Sequence, residues 1–167
     1  MAATKYGTRN NGTRSAPPYR LVLGLTDAPY DTTRDLHACL NDQAAVVIQI
    51  ESLKGIENLD NILAQVPDID AVWLGSLDCR VSMNLPANIG QPQTEPEWIA
   101  AKETFLATLK KHNKPYAGFY ITSRGTKQGL QKACKEMAMV FITADVEALT
   151  AMNQTLKSAR RAIKEAS

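Results

Sequence analysis

The chain has 167 residues, 44% hydrophobic, 22% charged and 6% aromatic, which is the composition of a globular domain with its own core. Its 19 basic and 17 acidic residues give a formal charge of +2, too small a field to attract nucleic acid or an anionic membrane over the whole surface. It has no apolar run near the ~20 residues of a membrane span and no signal-peptide core after Met-Ala-Ala-Thr-Lys.

Cys39, Cys79 and Cys134 are scattered, odd in number and form no CxxC pair, which argues against a disulfide framework and a zinc knuckle. Free thiols and a cytoplasmic location are therefore expected. Basic residues gather in 5–20 and 157–164, and read as a solvated tail and a solvated helix face.

Residues 1–18 are rich in Gly, Asn, Thr, Arg and Pro and read as a flexible N-terminal segment closed by Pro17-Pro18, with one domain over 19–167. The apolar stretch 19–25 has no clear period. Asp31 is placed to open a helix with Thr32 and Thr33 in its first turn and Leu36, Cys39 and Leu40 on one face. The apolar run 44–50 suits a strand buried on both faces. Ile56, Leu59, Ile62 and Leu63 follow at helical spacing, and Pro67 ends that helix.

A second buried strand is expected at 71–74, ending at Gly75-Ser76, and then a long loop with Pro86, Gly90, Pro92 and Pro96. The spacing predicts a helix over 97–112 that carries Ile99, Phe105, Leu106 and Leu109 inward. It also predicts a strand over 116–121, a helix over 128–137, a strand over 140–143 and a long helix over 146–165. Strand–helix alternation of this kind specifies an α/β protein with a parallel sheet.

In such sheets the residues just past the strand C-termini line the site. Glu51 follows the first strand and Asp78 follows the second, so two carboxylates are expected at neighbouring strand ends. Paired hard oxygens with water completing the shell suit Mg²⁺ or Mn²⁺. Acidic residues follow strands in many α/β chains, so the spacing alone leaves an ion site and a plain solvated pair both open.

The strand text Val47-Ile48-Gln49-Ile50-Glu51-Ser52 is followed by Glu57-Asn58-Leu59-Asp60-Asn61-Ile62-Leu63. After these come Asp68-Ile69-Asp70-Ala71-Val72-Trp73-Leu74-Gly75-Ser76-Leu77-Asp78 and Val81-Ser82-Met83-Asn84-Leu85-Pro86. In this order the segments resemble the HpcH/HpaI aldolase/citrate lyase family, the class II pyruvate aldolases that include macrophomate synthase-like enzymes. Residues 111–118 resemble the family's approach to its next strand, and 139–142 its last strand. Gly12-Thr13-Arg14-Ser15 is similar to a weakened family signature.

The resemblance implies about half of a TIM (β/α)8 barrel, the C-terminal half. It implies Glu51 and Asp78 as the two protein ligands of a divalent metal, Mg²⁺ or Mn²⁺, with Co²⁺ as a further candidate. A pyruvate, oxaloacetate or other 2-oxo acid would chelate that ion, which would stabilise the enolate formed on aldol cleavage or decarboxylation. Gly75, Ser76, Leu77 and Asp78 would hold the substrate, with backbone N–H groups near Leu77 and Asp78 on its carboxylate. Gly75 also suits a tight turn for its own sake.

The sequence departs from the family at the second motif, where Ser76 replaces a proline, Cys79-Arg80 replaces Leu-Ser and Asn84 replaces a glycine. The resemblance places the family's catalytic histidine and arginine in the barrel half that precedes this one. Neither His37 nor His112 matches that base, so no catalytic residue is assigned, and Arg14 and Arg80 read as solvent-exposed cations that are candidate oxo-acid partners. A half barrel also exposes an apolar face and two sheet edges. A homo-oligomer, a complementing barrel-half subunit or closure into a flatter open sheet would each cover them, and apolar positions Leu149, Met152 and Leu156 on the last helix are candidates for the contact. The functional expectation is a metal-dependent carbon–carbon lyase. The alternatives are a non-catalytic half barrel that binds a ligand or a partner subunit, and a purely structural module.

Overall fold

Val47–Ile50 (β1), Ala71–Leu74 (β2), Tyr116–Phe119 (β3) and Met139–Phe141 (β4) form one sheet in chain order, every pair parallel. The computed structural model describes residues 2–15, 31, 33–87, 92–120 and 125–166. Among them the sheet does not close, and β1 and β4 are its two edges. The helices are Leu36–Asp42 (α1), Leu53–Glu57 (α2), Leu59–Gln65 (α3), Ser76–Ser82 (α4), Pro96–Lys111 (α5), Lys127–Glu136 (α6) and Asp145–Ala166 (α7). This is the expected α/β alternation.

One face of the sheet carries the core. Ile50, Val72 and Leu74 pack there with Ile56, Leu59, Leu63, Ile69, Cys79, Trp98, Phe105 and Leu109, all buried. The register of the two N-terminal strands is fixed from below. The Asp70 carboxylate accepts the Val46 N–H at 2.6 Å, and the Asp70 N–H donates to the Val46 carbonyl at 2.9 Å.

Several expectations shift. β1 is not buried on both faces: Gln49 is exposed and Val47 and Ile48 are half-buried, because an edge strand has a neighbour on one side only. The first helix opens at Asp35, whose side chain accepts the Ala38 N–H, while Asp31 is spent on a turn with Thr33. The apolar series 56–63 is two helices, broken at Asn58. Part of the expected long loop is helix α4. On α5, Phe105 and Leu109 face the core as expected, but Ile99 and Leu106 are exposed and Trp98 and Ala101 take the inward positions.

At the N-terminus, residues 2–15 carry 3-10 turns at Ala2–Thr4 and Thr8–Asn10, and Tyr6 is buried. The Asn41 side chain on α1 accepts the Tyr6 N–H and donates to the Tyr6 carbonyl. Pro17-Pro18, the stretch 19–25, Thr32, Gly90 and Ile121 lie outside the described residues. No helix among the described residues is long and apolar enough to cross a membrane.

Candidate functional site

The β1–β2 register pairs Gln49 with Trp73 and Ile50 with Leu74, so the next residues, Glu51 and Gly75, stand at adjacent strand C-termini. The Gly75 N–H donates to the Ile50 carbonyl at 2.9 Å and holds the two ends together. Gly75 is buried at φ −74, so its need for glycine is one of space. A Cβ there would lie 2.6 Å from Gln49 Nε2 and 3.0 Å from Glu51 Cβ. Gln49 and the Glu51 Cβ pack closely against Gly75 and take up the space a side chain there would need.

Immediately after Gly75 the chain turns into α4, whose first turn holds Asp78. Glu51 and Asp78 are both exposed, Ser76 is half-buried and Leu77 is 40% exposed. The first N–H groups of a helix have no acceptor within it, so the turn 76–78 offers donors on the side of the carboxylates. Ser52 caps α2 by accepting the Gly55 N–H at 3.1 Å. The Leu53 N–H donates to Ser82 Oγ at 3.3 Å, which ties the segment after Glu51 to the end of the helix that carries Asp78.

Arg80 overturns its sequence reading. Instead of standing exposed beside the site, its side chain is fully buried. Its Nε donates to the Pro86 carbonyl at 2.9 Å, and its two terminal nitrogens reach the Glu95 carboxylate at 2.9 and 2.7 Å. The guanidinium also lies 5.3 Å from the centre of the Trp98 ring. The Arg80 hydrogen bond is the main cause that holds the Glu95 carboxyl below the usual carboxylate range. Asn84, where the family has glycine, adopts φ +60, a left-handed conformation that asparagine accepts better than most residues. Arg14 is exposed, 4.7 Å from the Tyr6 ring centre, away from the strand ends.

Neither histidine joins the site. His112 caps α5 just before β3, at the opposite end of the sheet, with Nε2 2.6 Å from Asp60 Oδ1. Lys111 first and His112 second hold the Asp60 carboxyl low. His37 lies on α1 with its ring 6.4 Å from that of Tyr6.

The structure thus brings Glu51, Gly75, Ser76, Leu77 and Asp78 to one end of the sheet. Sequence reasoning missed Gln49, Ser82 and Glu95 as the residues around them, and gave Arg80 an exposed place instead of its buried one. Gln49 was legible from alternation, since it shares a face with Glu51. The Arg80–Glu95 pair left no local signal, because it spans a proline-rich connection.

Two exposed carboxylates just past neighbouring strand ends are a hard-oxygen donor set that fits Mg²⁺ or Mn²⁺. Among the described residues no group of three or more His, Cys, Asp or Glu side chains is placed to hold an ion. An ion between Glu51 and Asp78 would therefore draw its remaining ligands from water or substrate.

Known proteins share part of this sequence and its fold. The chain is 38% identical to the 2-keto-3-deoxy-L-rhamnonate aldolase of Escherichia coli K12 over 58 residues, 35% of this chain and 21% of that protein. Its fold is similar to that of macrophomate synthase, with a TM-score of 0.67 at 23% identity over 99% of this chain and 55% of that one. It is similar also to the HpcH/HpaI aldolase of Desulfitobacterium hafniense DCB-2, with a TM-score of 0.62 at 21% identity over 95% and 57% of the two chains. The chain thus spans a little over half the length of these solved structures. The profile of the HpcH/HpaI aldolase/citrate lyase family matches residues 3–154. Nearly the whole described fold lies inside that match, and the chain belongs to the HpcH/HpaI aldolase/citrate lyase family.

Proposed function

We propose that the chain is a carbon–carbon lyase of the aldolase or decarboxylase type that acts on a 2-oxo acid such as pyruvate or oxaloacetate through an enolate. One observation carries the reading: Glu51 and Asp78 lie just past the C-terminal ends of hydrogen-bonded neighbours β1 and β2, with Gly75 packed against Glu51. In this reading Glu51 and Asp78 hold a divalent ion, which when bound supplies Lewis-acid charge for an enolate.

The protein groups have separate tasks. Gly75 lets Gln49 and Glu51 pack against the turn that opens α4. The N–H groups of Ser76, Leu77 and Asp78 orient a substrate carboxylate. Ser82 and the Arg80–Glu95 pair keep α4, and with it Asp78, in place.

Titration calorimetry of Mn²⁺ with oxalate, a mimic of the pyruvate enolate, tests the site. Binding by the wild type and its loss in Glu51→Ala is the expected result, and equal binding by both sinks the assignment. Oxaloacetate decarboxylation above the rate of free Mn²⁺, abolished in Asp78→Ala, tests the lyase activity.

The positions of His37 and His112 favour a second reading, a half barrel that binds a ligand or partner subunit without turnover. Oxalate binding with no decarboxylation above the free-metal rate would select it.

A further inference from the structure

The sheet face opposite the core carries a stacked aromatic pair beside the candidate site. Ile50, Val72 and Leu74 belong to the core, so by alternation Gln49, Trp73, Ala117 and Phe141 share the other face with Glu51 and Gly75. Gln49 is the register partner of Trp73 on one side, and Ala117 of β3 is its partner on the other. Phe141 comes from β4, two strands away from β2. Strands two apart are about 9–10 Å from each other. Only two large side chains meet across that distance, and the small, buried Ala117 leaves them the room. The rings of Trp73 and Phe141 stack with centres 4.2 Å apart and planes inclined by 21°.

Both residues are half-buried, and Met139, on the same face of β4, is 40% exposed. The pair therefore keeps apolar surface on show next to two carboxylates. Trp73 Nε1 is buried and has no hydrogen-bond partner among the described residues. A buried donor is costly to leave unpaired, and phenylalanine or leucine would fill the same space without that cost. Space filling alone does not account for an indole here.

Trp73 precedes Gly75 by two residues, about 7 Å along the strand at 3.3 Å per residue. That is within reach of a ring carried on a short 2-oxo acid whose oxygens are held at the strand ends. Resting on the lyase reading above, we propose that Trp73 and Phe141 form the platform for the aryl group of an aryl-bearing 2-oxo acid, such as phenylpyruvate, bound at Glu51 and Asp78. Aromatic rings gain from offset or edge-to-face contact with such a platform beyond their area alone. A second carboxylate in the same place would lose its water and find no cation on this surface.

Titration calorimetry with Mn²⁺ and three ligands, oxalate, pyruvate and phenylpyruvate, tests this on the intact chain. The wild type is expected to bind phenylpyruvate at least about tenfold more tightly than pyruvate. Trp73→Leu and Phe141→Leu are expected to bring that ratio within about twofold of one, with oxalate still bound as the sign of a folded site. Equal affinity for the two oxo acids in the wild type overturns the proposal. So does a ratio that both variants keep, which would leave the rings as packing only. Oxalate separates this failure from that of the underlying reading: a wild type that does not bind it has no ion site, and the platform falls with it. Oxalate binding without an aryl preference removes the platform alone.

Discussion

Arg80 donates two hydrogen bonds to the carboxylate of Glu95, across the proline-rich connection that joins α4 to α5. Glu95 is the N-cap residue of α5, and the same guanidinium holds the Pro86 carbonyl. One buried cation therefore sets where the helix bearing Asp78 meets the helix that fills the core. Arg80→Ala should destabilise the fold by roughly 3–5 kcal/mol, the usual effect of breaking a buried ion pair. Glu95→Gln should destabilise it as well and should flatten the acid limb of the stability curve. The sign follows from the depressed Glu95 carboxyl: its contribution is present above the ordinary carboxylate value of 4.5 and is lost as pH falls below it. Urea melts of both variants between pH 3 and 7 measure this.

Gly75→Ala probes the close packing at the strand ends. The new methyl would meet Gln49 Nε2 at 2.6 Å and Glu51 Cβ at 3.0 Å. Gln49 can swing aside, but Glu51 Cβ is fixed by the backbone. Mn²⁺ affinity at the proposed site is expected to fall at least tenfold with a loss of stability of roughly 1–3 kcal/mol from overpacking, and Gly75→Ala/Gln49→Ala should not restore it. Calorimetry beside a thermal melt separates the two effects.

The phase of α5 predicts opposite outcomes for neighbouring apolar positions. Phe105 is fully buried with its ring 5.6 Å from that of Tyr116, edge to face, so Phe105→Ala should cost roughly 3–5 kcal/mol. Ile99→Ala, at a 44% exposed position, should stay within about 0.5 kcal/mol. Chemical denaturation of the two variants checks the pair, and equal losses would contradict the inward positions described for α5.

Alkaline stability should report on Tyr116. Burial first, and Glu136 second, push its hydroxyl from 10.0 up to about 12. An unfolded chain releases this proton near pH 10 while the folded chain keeps it, so the stability present below pH 10 drains away between about 10 and 12. The two-unit difference corresponds to roughly 3 kcal/mol. Tyr116→Phe should lose that part of the pH dependence, which denaturant midpoints from pH 8 to 12 would follow.

What the sequence determined by itself is local. Alternation and helical spacing placed β2 and the last four elements to within a few residues, because each short strand and each amphipathic helix encodes its own period. The places of Glu51 and Asp78 just past strand ends were legible in the same way, while their reading as metal ligands came from the family resemblance.

Only the tertiary structure decided how far each apolar run is buried. β1 reads like a core strand, yet it is an edge, since burial depends on neighbours and not on hydropathy. Nor does α7 reveal in sequence whether its apolar stripe packs on its own sheet, which in the structure it does not. Arg80 is the sharpest case: a cation two residues past a candidate metal ligand reads as exposed, and only the tertiary fold brings Glu95, Pro86 and Trp98 around it. A charge is buried when partners distant in sequence satisfy it, and no local pattern records those partners.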